Sequence, residues 1–175
     1  IVMAWASRRI SSRALLRNWT IVFAGNLIGS LGMALLVHLS GILALGDGLA
    51  GVTADEILAS KLALDPVQAF VRGIMCNILV CLAVWMCFAA RSATGKVAVI
   101  VPPIAAFVML GLEHSVANMY LIPIGMLHRS GAIDVAALMA NLVPVTVGNI
   151  VGGGGLVALV YWLVYLRPSS ATGNS

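Results

Sequence analysis

The sequence predicts an all-α integral membrane protein. Hydrophobic residues make up 61% of the chain and charged residues only 9%, whereas about a quarter of the residues of a soluble domain are charged. Long apolar runs recur along the chain, and an α-helix needs only about 20 apolar residues to cross the hydrocarbon core of a bilayer. We therefore expect a helical bundle in the lipid bilayer, with four spans at about 19–40, 67–90, 97–127 and 142–166.

The third apolar run, from Val97 to Leu127, is too long for one straight span. As a single α-helix it would be about 46 Å long, but a hydrocarbon core is only about 30 Å thick. Gly111, a poor helix former, lies near the middle of the run, close to Glu113 and His114. The sequence therefore predicts a helix break supported by Gly111 and Glu113, with His114 near the middle of the membrane.

An ionisable side chain at that depth indicates a function, because charges inside a bilayer are costly and such residues are rare. Half-helix ends at a break are suited to an ion pathway, so we interpret His114 as a site residue. The simpler alternative is a neutral core histidine bonded to a backbone carbonyl.

The distribution of basic residues predicts the topology. Four arginines lie within residues 1–18 without an acidic residue, and a short basic loop follows at 91–96. Cytoplasmic loops carry an excess of Lys and Arg, so we place these segments and Arg167 in the cytoplasm, and the acidic loop at 41–66 outside. The net charge of +4 requires no nucleic acid as a partner. The expected segments are a cytoplasmic connector at 1–18, a membrane domain at 19–167 with a second outer loop at 128–141, and a cytoplasmic tail at 168–175.

One internal repeat is visible. The segment GNLIGSLG at 25–32 is similar to GNIVGGGG at 148–155, with Gly, Asn, Gly and Gly in register. Two spans separate the copies, so the copies run in opposite directions, which is typical of inverted repeats in transporters and channels. The alternative is that small residues mark close helix contacts in general.

Other functional classes lack their usual residues. We find no HExxH motif and no Ser/His/Asp set, so we expect no enzyme and no catalytic residue. Cys76, Cys81 and Cys87 fall within one span without the spacing of a metal-type pair, so we expect no metal. A haem carrier would need paired histidines at compatible depths, but His38 and His128 lie near span ends. We therefore expect no cofactor.

Three segments resemble the formate/nitrite transporter family. They are RGIMCNILVCLAVWM at 72–86, EHSVANM at 113–119 and NLVPVTVGN at 141–149. None of them is a generic motif, and the resemblance extends from Leu15 to Arg167. It implies an aquaporin-like helical bundle of six spans in the inner (plasma) membrane, assembled as a homopentamer with one pore per subunit. This sequence would supply the third to sixth spans.

The resemblance also implies site residues and substrates. The central pore histidine of the family falls on His114, its polar neighbour on Asn77 and the outer apolar constriction on Phe107. Val80 matches an apolar pore position, and Lys61 a basic residue near the outer entrance. Each of these residues also has a simpler interpretation. Phe107 and Val80 would then be core-packing residues, Asn77 would form a contact between helices, and Lys61 would be a solvated loop residue. The implied substrates are small monovalent anions of weak acids, formate first and also nitrite; hydrosulfide, acetate and lactate, or a neutral solute, are the other possibilities.

The expected mechanism depends on desolvation. A small anion is costly to bury in an apolar constriction, and a carboxylic acid is ionised near pH 7 because carboxyl pKa values lie near ~4. Histidine, with a reference pKa of ~6.5, is suited to exchanging a proton reversibly. We expect Lys61 to attract anions and Asn77 to donate a hydrogen bond beside His114. Glu113 is about 100° from His114 on a helix and would hold the break; orienting the histidine or pairing with Lys61 are its alternatives.

Overall fold

The structure, a computed structural model, describes residues 1–166. This part of the chain consists only of helices and the segments that connect them. The predicted tail at 168–175 and Arg167 lie outside the described residues. A short 3₁₀ turn, Ile42–Ala44, follows the second helix. The helices are α1 (Val2–Ala6), α2 (Ser12–Leu39), α3 (Leu49–Leu62), α4 (Pro66–Ala89), α5 (Ala93–Met109), α6 (Ser115–Ser130) and α7 (Val135–Asn149), which continues as π-helical segments at Ile150–Leu159 and Trp162–Leu166.

Among residues 1–166, three helices are long and apolar enough to cross a membrane: Ser12–Leu39, Pro66–Ala89 and Val135–Leu166. The middle one lies where the second span was predicted. The first begins at Ser12 and not at Trp19, because the Ser11 hydroxyl caps it by accepting from the Ala14 N–H. The predicted connector at 1–18 is thus partly helical.

The second outer loop is shorter than predicted. Helix α6 continues to Ser130 and α7 begins at Val135, so only residues 131–134 remain of the expected loop at 128–141. Gly131 ends α6 with a left-handed φ of 69°, a conformation that glycine adopts without steric cost. Asp134 then caps α7 by accepting from the Ala137 N–H.

The predicted break in the third span is present. Helix α5 ends at Met109 and α6 begins at Ser115. Gly111 has a φ of 60°, which is why the chain can leave the α5 axis there. The guanidinium of Arg72 on α4 donates to the Gly111 carbonyl at 3.3 Å, so the break is also supported from a neighbouring helix.

The acidic segment at 41–66 was expected to be a loop, but most of it forms helix α3. This helix packs on α6, and its Ala54 and Leu58 are buried. A Cβ on Gly125 of α6 would lie 2.7 Å from the Leu58 Cβ, closer than real carbon atoms approach. The missing side chain therefore lets the two helices pack tightly, and this contact places Lys61, in the last turn of α3, beside the break.

Helices α4 and α7 also approach through glycine. A Cβ on Gly148 would overlap the Phe70 carbonyl, and one on Gly152 would overlap the Ile74 carbonyl. In the first copy of the repeat, by contrast, Gly25 and Gly29 have no heavy atom within 4 Å of such a Cβ. The two copies thus have different surroundings among residues 1–166, and the inverted arrangement stays a prediction.

Candidate functional site

His114 is the N-cap residue of α6 and lies at the end of the break. Its Nδ1 accepts a long, 3.4 Å hydrogen bond from the Ala117 N–H. A neutral imidazole that accepts at Nδ1 carries its proton on Nε2. The ring is 6.1 Å from the ring of Phe107, centroid to centroid, at an interplanar angle of 31°. The structure therefore brings together the predicted pore histidine and the predicted constriction, with the Nε2–H as a hydrogen-bond donor.

Asn149, at the end of α7, fixes the backbone on both sides of His114. Its side-chain oxygen accepts from the Ser115 N–H at 2.9 Å. Its Nδ2 donates to the Glu113 carbonyl at 3.0 Å and to the Gly73 carbonyl of α4 at 2.8 Å. The residue is only 7% exposed. One buried carboxamide thus joins the break to two other helices.

Glu113 points into a buried polar cluster. Its Oε1 lies 2.9 Å from the Lys61 Nζ, and the two side chains are 3% and 11% exposed. Its Oε2 accepts from the Asn118 Nδ2 and, at 3.3 Å, from the Asn141 Nδ2. A charge at this depth is tolerated only when it is paired and its remaining lone pairs are satisfied. Of the alternatives left open for Glu113, pairing with Lys61 is the one that the structure has.

Asn118 and Asn141 connect this cluster further. The Asn118 Nδ2 also donates to the Asn141 Oδ1 at 2.8 Å, and the Asn141 Nδ2 also donates to the Lys61 carbonyl at 3.2 Å. Sequence reasoning gave these two residues no role. For Asn118, its position in a predicted apolar span was a usable signal, because an asparagine inside a membrane usually forms a hydrogen bond between helices. Asn141 falls within the predicted second outer loop, but the structure places it in α7.

Asn77 lies on α4 and is half-buried. Its Nδ2 donates to the backbone carbonyl of Asn149, so its amide is held by the same residue that fixes the break. Val80 lies one turn further along α4 and is also half-buried. Asn77 borders a cavity of about 330 Å³, which it shares with Cys81, Ser115, Thr146, Asn149 and Gly153, among others.

These residues lie near the break. The Phe107 ring is close to the His114 ring, and Asn77 lines a cavity that is also lined by Ser115, the residue after His114. The ion pair of Lys61 and Glu113 supports the break from the side of α3. Among residues 1–166, no three His, Cys, Asp or Glu side chains are grouped as metal ligands would be.

Two comparisons with known sequences point to one family. The chain is 40% identical over 185 residues to the "Formate channel FocA" of Escherichia coli (strain K12), an alignment that covers 95% of this chain and 65% of that protein. It is 42% identical over 173 residues to the "Probable formate transporter" of Methanothermobacter thermautotrophicus, covering 91% of this chain and 63% of that protein. The chain thus spans a little under two thirds of the length of these curated relatives.

Solved structures agree with the sequences. A "Pentameric formate channel with formate bound" superposes with a TM-score of 0.80 at 43% identity, covering 90% of this chain and 69% of that one. An "FNT family ion channel" superposes with a TM-score of 0.79 at 32% identity, covering 90% and 63%. The predicted fold class, an all-α membrane bundle of the aquaporin-like type, is confirmed by these matches.

A protein-family model described as "Formate/nitrite transporter" matches residues 1–163 of this sequence. This match takes in α1 to α7, the break before His114 and the buried cluster around Glu113. Since the sequence relatives and the solved structures give the same answer, this multi-pass membrane protein belongs to the formate/nitrite transporter family.

Proposed function

We propose that the complete protein is a transmembrane channel for small monovalent anions of weak acids, with formate as the main substrate and nitrite as a second one. The observation that carries the proposal is the position of His114. Its ionisable ring lies at a helix break, and its Nδ1 accepts a hydrogen bond from the Ala117 N–H. This arrangement leaves the Nε2–H as the donor for a passing anion. The names of the relatives, a formate channel and a probable formate transporter, support the choice of substrate.

The proposed passage works by lowering the desolvation penalty of the anion. Phe107, 6.1 Å from the His114 ring, supplies an apolar wall at which a bare carboxylate is unfavourable. The Nε2–H of His114 donates to a carboxylate oxygen at that point. When the ring is an imidazolium, it can instead transfer the Nε2 proton, which leaves a neutral acid and a neutral ring. The neutral acid crosses the apolar wall at a lower cost than the anion.

Protonation of His114 changes the start of α6. An imidazolium carries a hydrogen on both nitrogens, so Nδ1 turns from an acceptor into a donor. It then releases the Ala117 N–H that it caps in this structure. We therefore propose that proton uptake by His114 and the first turn of α6 are coupled.

Asn77, Val80 and Lys61 complete the proposed passage. Asn77 presents a carboxamide to the cavity beside Ser115, and Val80 continues the same face of α4 as an apolar wall. Lys61 acts as a cation beside the passage, with its charge largely offset by Glu113 at 2.9 Å. Gly111 and Glu113 hold the break in place.

We further propose the assembly and the location. A similar protein of known structure is described as a pentameric channel, which supports a homopentamer with one passage per subunit. The relatives are channels and transporters, so we propose a channel and not an enzyme. The arginines of residues 1–18 support a cytoplasmic position for that connector by the positive-inside rule, and Arg167 supports the same side for the C-terminal segment. We propose the inner (plasma) membrane as the location.

Anion entry into liposomes tests the proposal. The full-length protein is reconstituted, and stopped-flow uptake of formate, nitrite, acetate, lactate, hydrosulfide and glycerol is measured from pH 5 to 8, with the rates of protein-free liposomes subtracted. We expect formate and nitrite to enter faster than glycerol, and the formate rate to lose its pH dependence in His114→Asn. His38→Asn is the matched control and should keep the wild-type profile. Equal rates for glycerol and formate, or an unchanged profile in His114→Asn, would contradict the proposal.

A further inference from the structure

Four consecutive glycines, residues 152–155, lie in the π-helical continuation of α7, and each meets different surroundings. A Cβ on Gly155 would have no heavy atom within 4 Å, and one on Gly154 would reach only the Val2 side chain at 3.4 Å. A Cβ on Gly152 would overlap the backbone carbonyl of Ile74. Gly153 alone of the four faces a polar side chain of the candidate site, because a Cβ there would overlap the amide of Asn77.

The overlap at Gly153 concerns a specific atom. The Asn77 Nδ2 is the group that a Cβ would overlap most severely, with the Asn77 Cγ at 3.0 Å and the Cys81 Sγ at 3.1 Å. That same Nδ2 donates to the backbone carbonyl of Asn149. An alanine at 153 would therefore push the Asn77 amide away from the carbonyl to which it is bonded. The Cys81 sulfur lies at the end of a short side chain and can move by the few tenths of an ångström required.

The displaced hydrogen bond belongs to the residue that holds the break. The Asn149 side chain bonds the Ser115 N–H and the Glu113 carbonyl, which flank His114 in the chain. Its backbone carbonyl is the acceptor for Asn77. A side chain at position 153 would therefore change the cavity directly, because it displaces the Asn77 amide. It would affect the break indirectly, because Asn77 is bonded to Asn149.

We propose that Gly153 is a positioning residue of the anion passage: its missing side chain is the space that lets the Asn77 amide reach the Asn149 carbonyl. This inference rests on the proposed function for its flux readout. Its structural part does not depend on transport: it states that the effect of adding a side chain at position 153 depends on the presence of the Asn77 amide. The two parts are therefore measured separately.

The test is a double-mutant cycle in the full-length protein. Gly153→Ala, Asn77→Ala and the double variant are purified and reconstituted, and formate uptake is normalised to the amount of folded oligomer. We expect Gly153→Ala to lower formate uptake about tenfold in the wild-type background, but less than about twofold when Asn77→Ala has already removed the overlapping amide, since residues in contact give non-additive effects. Equal losses in both backgrounds, or no loss in either, would overturn the proposal.

Two neighbouring glycines serve as controls. Gly155→Ala changes the helix propensity as Gly153→Ala does, but the new Cβ would have no heavy atom within 4 Å. It should therefore leave formate uptake unchanged. Gly152→Ala meets a backbone carbonyl, so its effect should be the same with or without the Asn77 side chain. A loss at Gly152 that Asn77→Ala relieves would show that the coupling is not specific to Gly153 and would count against the proposal.

Thermal unfolding of the same variants in detergent separates the two proposals. If Gly153→Ala lowers the unfolding temperature and Asn77→Ala suppresses most of that shift, the positioning role stands even where the wild type takes up no formate, and only the proposed function fails. If Gly153→Ala does not assemble, the double variant is decisive: restored assembly supports the overlap with Asn77, and continued failure overturns it.

Discussion

Asn149 holds both peptide groups that flank His114. Its side-chain oxygen accepts from the Ser115 N–H at 2.9 Å, and its Nδ2 donates to the Glu113 carbonyl at 3.0 Å. These are backbone groups that a helix break leaves without helical partners. Lipid cannot satisfy such groups, so non-helical backbone inside a membrane is tolerated only where it is buried in protein or lines a water-filled cavity. The break is thus stable because another helix supplies its hydrogen bonds.

Replacing Asn149 by Ala should therefore destabilise the protein. The change leaves the Ser115 N–H and the carbonyls of Glu113 and Gly73 without this partner. A buried group without a partner costs about 1–3 kcal/mol in soluble proteins, but hydrogen bonds between membrane helices average only about 0.6 kcal/mol. We expect a total loss of about 2 kcal/mol in the free energy of unfolding, measured by denaturant unfolding in detergent.

Asn18→Ala is the control for this measurement. Asn18 is exposed on α2, and exposed substitutions usually change stability by no more than about 0.5 kcal/mol. A loss at Asn149 that does not exceed the loss at Asn18 would show that the three hydrogen bonds contribute nothing to the fold.

The buried ion pair of Lys61 and Glu113 gives a second prediction. The side chains are 11% and 3% exposed, so removing one partner leaves an unpaired buried charge, which costs about 3–5 kcal/mol. Lys61→Met and Glu113→Gln should each destabilise by about that amount. The double variant should be more stable than either single one, because neither charge remains. Unfolding of all four proteins in detergent measures the coupling, and strictly additive losses would contradict it.

The sequence was informative about the break and much less so about its partners. The break followed from the length of the run from Val97 to Leu127 and from Gly111, since both depend on local properties. Helix α3 was predicted to be a loop because its acidic residues suggested solvent, whereas the helix is held by tight packing against Gly125 on α6. Such packing depends on contacts between distant segments, which no local pattern contains.

The partners of Glu113 and Asn149 illustrate the same limit. Lys61 lies 52 residues from Glu113 in the chain, and Gly73 lies 76 residues from Asn149. The sequence left the role of Glu113 open between three alternatives, because choosing one requires knowing where α3 ends. The internal repeat drew attention to Asn149, but it gave no indication of which backbone groups Asn149 binds.

The predicted topology can be checked at two loops. Ser92, between α4 and α5, and Ala132, between α6 and α7, are both exposed and lie at opposite ends of the broken span. The positive-inside rule places Ser92 in the cytoplasm and Ala132 outside. In a cysteine-free variant of the complete protein, Ser92→Cys should resist an impermeant thiol reagent applied to intact cells, and Ala132→Cys should react with it. The reverse labelling pattern would invert the orientation.

His114 caps α6, and we propose that it also carries a proton; the two roles can be separated by substitution. Its Nδ1 caps α6 through the Ala117 N–H, and the loss of an N-cap side chain costs about 1 kcal/mol. Asparagine is among the best N-cap residues but does not titrate. His114→Asn should therefore unfold at nearly the wild-type temperature, whereas His114→Ala should be less stable by about 1 kcal/mol. Thermal unfolding in detergent distinguishes the two variants.

Formate uptake by the same two variants tests the proposed role as a proton carrier. Both lack the titrating ring, so both should lose the pH dependence of uptake, although only one of them has lost the cap. If His114→Asn instead kept both the stability and the pH dependence of the wild type, and His114→Ala lost both, the histidine would serve only to start α6. If the two variants were equally stable but insensitive to pH, the ring would carry protons without contributing as a cap, and the coupling of proton uptake to the first turn of α6 would be wrong.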